Sequence, residues 1–160
     1  NAGADKTAIN TAAVRNPNFI KETSEIFGSQ CIVASIDAKK IANNKWEVYV
    51  DNGREPTGKD VLEWAKEVEC LGAGEIMITS IDKEGTKRGY DVELNKLISE
   101  LVSIPIISSG GAGSKEHISD VIKNTNLDAV SIASVFHYNV ETVDSLKDYL
   151  INDEKIHIRL

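Results

Sequence analysis

Segments with the composition of β-strands alternate with segments of helical apolar spacing along the chain. Five strand-like runs occupy residues 7–10, 31–36, 76–79, 104–108 and 129–133. Parallel strands need a crossover between them, and that crossover is usually a helix with a right-handed path. Strict β-α alternation therefore predicts an α/β fold that is built on a parallel sheet.

Helix start and stop signals between the strands agree with this alternation. The residues predicted to begin the five helices are Asn16 with Pro17 behind it, Asp60, Asp91, Ser114 and Thr142. An alternating run at residues 46–50, followed by a turn signal at 51–53, predicts a hairpin inserted after the second strand. No linker or low-complexity tract interrupts the chain, which predicts a single domain over residues 1–160.

Composition and charge disfavour several classes of function. The chain is 41% hydrophobic and 27% charged, which is typical of a globular domain with one core, and its net charge is −7. This negative charge disfavours nucleic acid as a partner, and no apolar run is long enough to cross a membrane. A phosphorylated ligand remains compatible, because backbone N–H groups bind phosphate without a net positive charge.

The cysteines and histidines show no metal-binding pattern. Cys31 and Cys70 form no CxxC pair, and we interpret them as reduced structural thiols of a cytoplasmic enzyme. His117, His137 and His157 have no ligand spacing, so no metal is expected. The chain opens with residues that are typical of the end of a helix running into a strand, so we expect it to be a piece of a longer protein.

Small polar residues stand at the carboxyl ends of the predicted strands. They are Asn10-Thr11, Asp37, Thr79-Ser80, Ser108-Ser109 and Ser134. Ligands of parallel α/β folds bind outside these strand ends, in barrels and in open sheets alike. Five strands that direct polar groups to one edge predict a shared site, although each group alone is also compatible with an ordinary turn.

Two of these strand ends carry the pattern of a phosphate site. The run Ser109-Gly110-Gly111-Ala112-Gly113 follows a strand and precedes a helix, where glycines let a phosphate approach backbone N–H groups at the positive helix end. The final strand ends at Ala133-Ser134, and the last two loops of a barrel often form a phosphate pocket. The sequence therefore predicts a pocket between these loops, with a simple tight turn as the alternative.

Asp37 is the candidate catalytic residue. It directly follows an apolar run, where a carboxylate has little structural use. Surroundings of low dielectric raise a carboxyl pKa toward values that are useful for proton transfer. A loop-capping role is the alternative, and the nearby Lys39 and Lys40 could instead keep the carboxylate ionised.

Strand alternation makes a prediction about Lys6 and Glu75. Side chains two residues apart share a face of a strand. If Asn10 and Thr79 point into the site, Lys6 and Glu75 point to the same side at the opposite ends of their strands. Opposite charges in such a place are tolerated chiefly as a pair, so we expect an ion pair there, with two separately solvated residues as the alternative.

The whole chain of 160 residues resembles one family. The motifs are DKTAINTAA at 5–13, SQCIVASIDAK at 29–39, GAGEIMITSID at 72–82, ISSGGAG at 107–113, ASVFH at 133–137 and the ending IRL. Together they are similar to the cyclase subunit of imidazole glycerol phosphate synthase, in histidine biosynthesis. The resemblance implies a TIM (β/α)8 barrel, of which this chain holds strands four to eight while strands one to three are absent.

The resemblance implies a lyase that needs no metal or organic cofactor. In this family, ammonia and a bisphosphorylated formimino-aminoimidazole carboxamide ribonucleotide give imidazole glycerol phosphate and aminoimidazole carboxamide ribotide. A glutaminase partner docks on the amino-terminal face of the barrel and supplies the ammonia, which passes through the barrel.

The resemblance also implies roles for individual residues. Asp37 matches the catalytic aspartate of strand five, which is one member of an acid–base pair. Lys6 and Glu75 match half of the ring of charges that gates the ammonia channel, and Asp5 matches a partner-docking position. The other matches bind substrate: Asn10 and Thr11 at one phosphate; Gly85, Gly110, Gly111, Ala133 and Ser134 at the other; Thr79 and Ser109 around the remaining polar groups.

The chain departs from the family pattern in two respects. The second catalytic aspartate belongs to strand one, so we expect this chain alone to be inactive and to self-associate through its open barrel edges. Glu84 stands where the family has an aspartate beside the phosphate loop.

Three other interpretations remain open. The sister barrel that isomerises the preceding pathway intermediate has similar paired phosphates, but residues 79–82 and 85–90 favour the cyclase. A cyclase-like paralogue delivers ammonia to a sugar in polysaccharide synthesis, but residues 135–137 and the Arg159-Leu160 ending favour the cyclase over it. The third interpretation is a non-catalytic module that binds phosphate or docks the glutaminase.

Overall fold

The computed structural model describes residues 3–158. Residues 1–2 and the Arg159-Leu160 ending, which favoured the cyclase over its paralogue, therefore lie outside the described residues. The strands are β1 (Thr7–Ile9), β2 (Ile32–Ala42), β3 (Lys45–Val50), β4 (Glu55–Asp60), β5 (Glu75–Ser80), β6 (Ile106–Ser109) and β7 (Ala129–Val130). The helices are α1 (Thr11–Arg15), α2 (Asn18–Phe27), α3 (Val61–Cys70), α4 (Val92–Ser99), α5 (Lys115–Asn124), α6 (Ser134–His137) and α7 (Val143–Asp148).

Five strands pair in parallel in the order β1-β2-β5-β6-β7. Consecutive parallel strands of the chain are therefore neighbours in the sheet, as in the wall of a TIM barrel. The predicted α/β fold class and the partial barrel are confirmed. No helix within residues 3–158 is both long and apolar enough to cross a membrane.

The two faces of the parallel sheet differ in burial. On the outer face, Ile36, Ile76, Ile78 and Ile106 are buried in one core with helical residues such as Trp64. On the inner face, alternate residues of β2, β5 and β6 are only half-buried. The helices thus cover one side of the sheet and leave the concave side accessible.

The inserted hairpin is present, and it lengthens the strand that precedes it. The sequence predicted that the second strand would end at Ile36, but β2 continues to Ala42 because its last residues pair with β3 in antiparallel fashion. Trp46 of β3 is buried, and its indole Nε1–H donates to Asp91 Oδ2 at 3.1 Å. The hairpin is thereby fixed to the start of α4.

The ends of some elements also differ from the sequence predictions. Helix α2 begins at Asn18 after Pro17, and no side chain caps it, so the predicted cap by Asn16 is wrong. Ile20 is the residue of α2 that is buried, whereas Ile26 and Phe27 are 72% and 63% exposed. The last strand is also shorter than predicted, since only Ala129–Val130 form ladder pairs.

Asp60 caps α3 as predicted, and we expect its removal to destabilise the fold. The carboxylate accepts hydrogen bonds from the backbone N–H groups of Leu62 (2.8 Å) and Glu63 (3.1 Å). We expect Asp60→Ala to lower the free energy of unfolding by about 1 kcal/mol, measured in urea. Ser114→Ala is the matched control, because the Ser114 side chain caps no N–H of α5. Equal losses in both variants would contradict the capping role.

Candidate functional site

Three of the predicted site residues lie side by side across the inner face of the sheet. Asp37 of β2 is the register partner of Thr79 on β5, and Thr79 is the partner of Ser109 on β6. Neighbouring strands are about 4.8 Å apart, so this row spans about 10 Å. Ser80 and Ser108, which adjoin Thr79 and Ser109 in the sequence, point instead to the buried outer face. The row therefore contains one polar residue from each of three strands.

The Asp37 carboxyl is half-buried, and its pKa is raised above the ordinary value of 3.8. Burial is the larger cause and the negative charge of Glu84 is the second. The two lysines that follow Asp37 are engaged elsewhere, since the Lys39 ammonium lies over the Tyr49 ring and Lys40 pairs with Glu93. The carboxyl is thus placed to hold and release a proton, and the alternative of a lysine-held carboxylate does not apply.

A small polar pocket, called the glycine pocket below, lies beside the Ser109 end of this row, and residues 109–113 form the glycine loop that lines it. Its volume is about 30 Å³, and its lining is Glu84, Ser109, Gly110, Gly111, Ala112, Ser131, Ala133 and Ser134. The predicted loops after β6 and β7 therefore do meet. Gly85 follows Glu84 in the chain and is outside the lining. Ser131 was missed, although it extends the inner-face alternation of β7 by one step from Ala129.

Glu84 places a carboxylate in this pocket. Its Oε2 lies 3.1 Å from the position that a Cβ on Gly110 would take. The same charge contributes to raising the pKa of Asp37 and of the buried Tyr90, for which burial is again the larger cause. The charge of Glu84 thus acts on both Asp37 and Tyr90.

The segment that contains Glu84 is tied to the glycine loop and to the end of β7. The Gly89 N–H donates to the Gly111 carbonyl at 2.8 Å, and the Tyr90 hydroxyl donates to the Ser131 carbonyl at 3.0 Å. A Cβ on Gly111, whose φ is +107°, would lie 2.2 Å from the Gly89 carbonyl oxygen. The two loops therefore pack so closely that only glycine fits at position 111.

Asn10 and Thr11 lie on the opposite side of β2 and contact the hairpin. The Asn10 Nδ2 donates to the Tyr49 carbonyl at 3.3 Å. The Thr11 Oγ1 accepts from the Asp51 N–H at 3.0 Å. Asn10 and Thr11 therefore lie at the β1 edge of the parallel strands, away from the glycine loop that follows β6.

Lys6 and Glu75 form an ion pair, as strand alternation predicts. The Lys6 ammonium contacts Glu75 Oε1 across the inner face, and β2 lies between the two strands that carry these residues. The Glu75 side chain is 18% exposed and that of Lys6 is 48% exposed. The pair lies at the amino-terminal ends of the strands, opposite the row that contains Asp37.

An apolar surface adjoins this end of the sheet, and it was not predicted from the sequence. A cavity of about 350 Å³ is lined by Gly3, Ala4, Asp5, Thr7, Phe27, Cys31 and Ile32. Phe27 and the neighbouring Ile26 are large exposed apolar side chains at the end of α2. Asp5, predicted to dock a partner, therefore lies beside an apolar patch. The two cysteines are unpaired, with Cys31 half-buried and Cys70 exposed.

Removing the charge of Glu84 is expected to lower the pKa of Asp37. In Glu84→Gln the Coulombic cause disappears while burial remains, so the pKa should fall yet stay above the ordinary 3.8. A carbon-detected NMR titration of the Asp37 carboxyl measures this directly. Because the pKa of Asp37 is raised in the folded state, the chain loses stability as the pH rises through that pKa. Glu84→Gln should lose less stability over the same pH range.

Glu63→Gln, on the outer helix α3, is the matched control and should leave the Asp37 titration unchanged. An Asp37 pKa that is the same in Glu84→Gln as in the unmodified chain would contradict the proposed coupling.

No group of three His, Cys, Asp or Glu side chains in the described part of the chain is arranged to hold a metal ion.

Comparison with known proteins gives one family and close relatives. The family model described as "Histidine biosynthesis protein" matches residues 1–142. The chain is 55% identical over 159 residues to imidazole glycerol phosphate synthase subunit HisF of Bacillus cereus (strain G9842). It is 53% identical over 159 residues to the subunit of the same name from Hydrogenobaculum sp. (strain Y04AAS1). Both alignments cover 99% of this chain, which spans 63% of the length of each relative.

Proposed function

The chain belongs to the histidine biosynthesis protein family, and from that premise we propose that it forms part of the cyclase subunit of an imidazole glycerol phosphate synthase. The observation that carries the proposal is the row Asp37–Thr79–Ser109, which runs from a half-buried carboxyl to the glycine-lined pocket. The identity of 55% to a relative of this name supports it. The reaction is the ammonia-dependent cyclisation that gives imidazole glycerol phosphate and aminoimidazole carboxamide ribotide.

The inner face suits a long substrate with a phosphate at each end. Asn10 and Thr11 follow β1, and the glycine pocket lies between the ends of β6 and β7. Four strand spacings separate β1 from β7, which is about 19 Å along the curved sheet. We assign one phosphate to Asn10 and Thr11, and the other to Gly85, Gly110, Gly111, Ala133 and Ser134. Thr79 and Ser109 then hydrogen-bond to the polar groups between the two phosphates.

Asp37 is the proposed proton-transfer group. Its carboxyl lies between the two phosphate sites on the accessible inner face, and its raised pKa favours a proton-holding role. The Asp37 carboxylate takes a proton from the attacking ammonia, and the carboxylic acid that results returns a proton to the leaving group. The acid–base partner expected from the family belongs to a strand outside this chain, so turnover requires the rest of the barrel.

The amino-terminal end of the sheet is the proposed entry for ammonia. The Lys6–Glu75 ion pair lies there, on the inner face and opposite Asp37. Breaking that pair would open a path along the inside of the barrel wall. Asp5 and the exposed Phe27 lie at the same end and offer a charged and an apolar contact for a glutaminase subunit.

The same structure bears on the state of the chain alone. We propose that it is one folding unit, because the described strands form one sheet and the two apolar clusters of the core meet at Leu127. The strands β1 and β7 each pair on one side only among the described residues, and unpaired edges favour self-association. A chain that binds phosphate and self-associates without turnover is therefore the expected behaviour of this piece in isolation.

Phosphate mapping on the 160-residue chain tests the proposed site. Inorganic phosphate, added to ¹⁵N-labelled protein, is expected to shift the amide resonances of Gly110, Gly111 and Ser134. The amides of Glu63 and Lys66 on α3 serve as internal controls. Shifts confined to other parts of the chain would overturn the assignment of the glycine pocket.

A further inference from the structure

His117 contacts both the glycine loop after β6 and the segment after β5 that contains Glu84. It is the third residue of α5, and its Nδ1 accepts a hydrogen bond from the Gly113 N–H at 3.3 Å. Its ring packs on Gly89, where a Cβ would lie 3.4 Å from the imidazole Cδ2. One side chain therefore contacts both the glycine loop and the segment that contains Glu84.

Helix α5 lacks the usual side-chain cap, and the His117 bond engages the N–H of Gly113, one residue before the N-cap position. The Ser114 side chain precedes α5 but caps none of its N–H groups. A side chain at the third helical position that reaches back to a preceding N–H resembles one half of a capping box. The bond joins the last glycine of the loop to the first turn of α5.

The loop has little freedom to compensate for losing this contact. A Cβ on Gly113 would lie 2.2 Å from the Lys87 carbonyl oxygen, so the chain segments around residues 87 and 113 are in close contact. The hydrogen bond from the Gly89 N–H to the Gly111 carbonyl joins the same two segments at a second place. His117 adds a third contact between these segments, at the point where the glycine loop meets α5.

We propose that His117 is a positioning residue for the phosphate pocket and acts through the Gly113 N–H. The proposal rests on the proposed phosphate role of Gly110, Gly111 and Ser134. The Nδ1 atom of the imidazole accepts a hydrogen bond from the backbone and so cannot also donate one to an anion. Its Nδ1 must therefore lack a proton, which requires the neutral Nε2–H tautomer.

Two substitutions separate this role from simple packing. In His117→Asn the side-chain oxygen occupies nearly the place of Nδ1 and can accept the same hydrogen bond, whereas His117→Leu fills space without an acceptor. We expect the leucine variant to bind inorganic phosphate about tenfold more weakly, as loss of a hydrogen bond of typical strength implies. The asparagine variant should bind within about twofold of the unmodified chain, read from the amide shifts of Gly110 and Gly111.

A spectroscopic signature provides a second readout. Long-range ¹⁵N–¹H correlations of the His117 ring should show an unprotonated Nδ1, and Gly113 amide exchange should be faster in the leucine variant alone. Equal phosphate affinity in all three proteins, equal loss in both variants, or a protonated Nδ1 would overturn the positioning role. Absence of phosphate shifts in the unmodified chain would instead overturn the proposed pocket itself, and this inference with it.

Discussion

Asp37→Asn is expected to lower the rate of cyclisation by about 10²–10⁴-fold in the assembled barrel, because general acid–base catalysis contributes an effect of that size. Asparagine keeps the shape of the side chain but cannot transfer the proton. The Michaelis constant should change little, since the phosphate ligands lie on other strands. Steady-state kinetics with ammonia as the nitrogen donor measure both constants.

Asp128→Asn is the matched control for this substitution. The Asp128 Oδ2 accepts the Ile106 N–H at 2.9 Å, at the opposite end of the sheet from Asp37. Asparagine can still accept this bond, so turnover should be preserved. If Asp37→Asn retained more than a tenth of the activity, proton transfer would have to be assigned to another group.

Gly111→Ala is expected to have the largest effect on the folded chain. The new methyl group would lie 2.2 Å from the Gly89 carbonyl oxygen, at a φ of +107° that side chains rarely adopt. Backbone strain and overpacking each cost about 1–3 kcal/mol, so we expect a loss of about 2–6 kcal/mol in the free energy of unfolding. Phosphate binding should be lost as well, because the glycine loop must move away from the segment at Gly89.

Gly58→Ala separates the two causes. Gly58 has a φ of +75°, but nothing lies within 4 Å of its Cβ position. Its substitution should therefore cost only the backbone strain, about 1–2 kcal/mol, with phosphate binding intact. Urea unfolding and phosphate titration of both variants make the comparison. A cost at Gly111 no larger than at Gly58 would show that the loops separate easily.

The period of two along a strand accounts for the most accurate part of the sequence analysis. It correctly predicted that Lys6 and Glu75 share the inner face, although they are far apart in the sequence. The same rule, applied to adjacent polar pairs, admits only one member of each pair to the site. Thr79 and Ser109 face the site, while Ser80 turns outward and its hydroxyl contacts Asp91 Oδ2 at 3.3 Å.

The features that the sequence did not predict depend on contacts between distant segments. The extension of β2 beyond Ile36 exists because β3 supplies hydrogen-bonding partners. Exposure of Ile26 and Phe27 could not be read from helical spacing, which predicts a shared face but not what covers it. The direction of the Glu84 carboxylate depends on how its loop packs against Gly110.

Electrostatics give the candidate site its chemical character. Asp37 and Glu84 are two carboxylates near the inner face, and Lys6 is paired with Glu75 at the amino-terminal ends of the strands. Among the described residues, the lining of the glycine pocket contains no lysine or arginine, so we propose that a phosphate there is held by backbone N–H groups and hydroxyls, beside the carboxylate of Glu84.

The most direct measurement is turnover by a protein in which this chain is joined behind the strands that its Bacillus cereus relative would supply. The purified chimera would be given ammonia with the cyclase substrate, with the substrate of the sister isomerase, and with a sugar acceptor in parallel. We predict ammonia-dependent formation of imidazole glycerol phosphate from the first substrate alone. A folded chimera that binds the cyclase substrate but releases no product, or that converts one of the other two, would contradict the assignment.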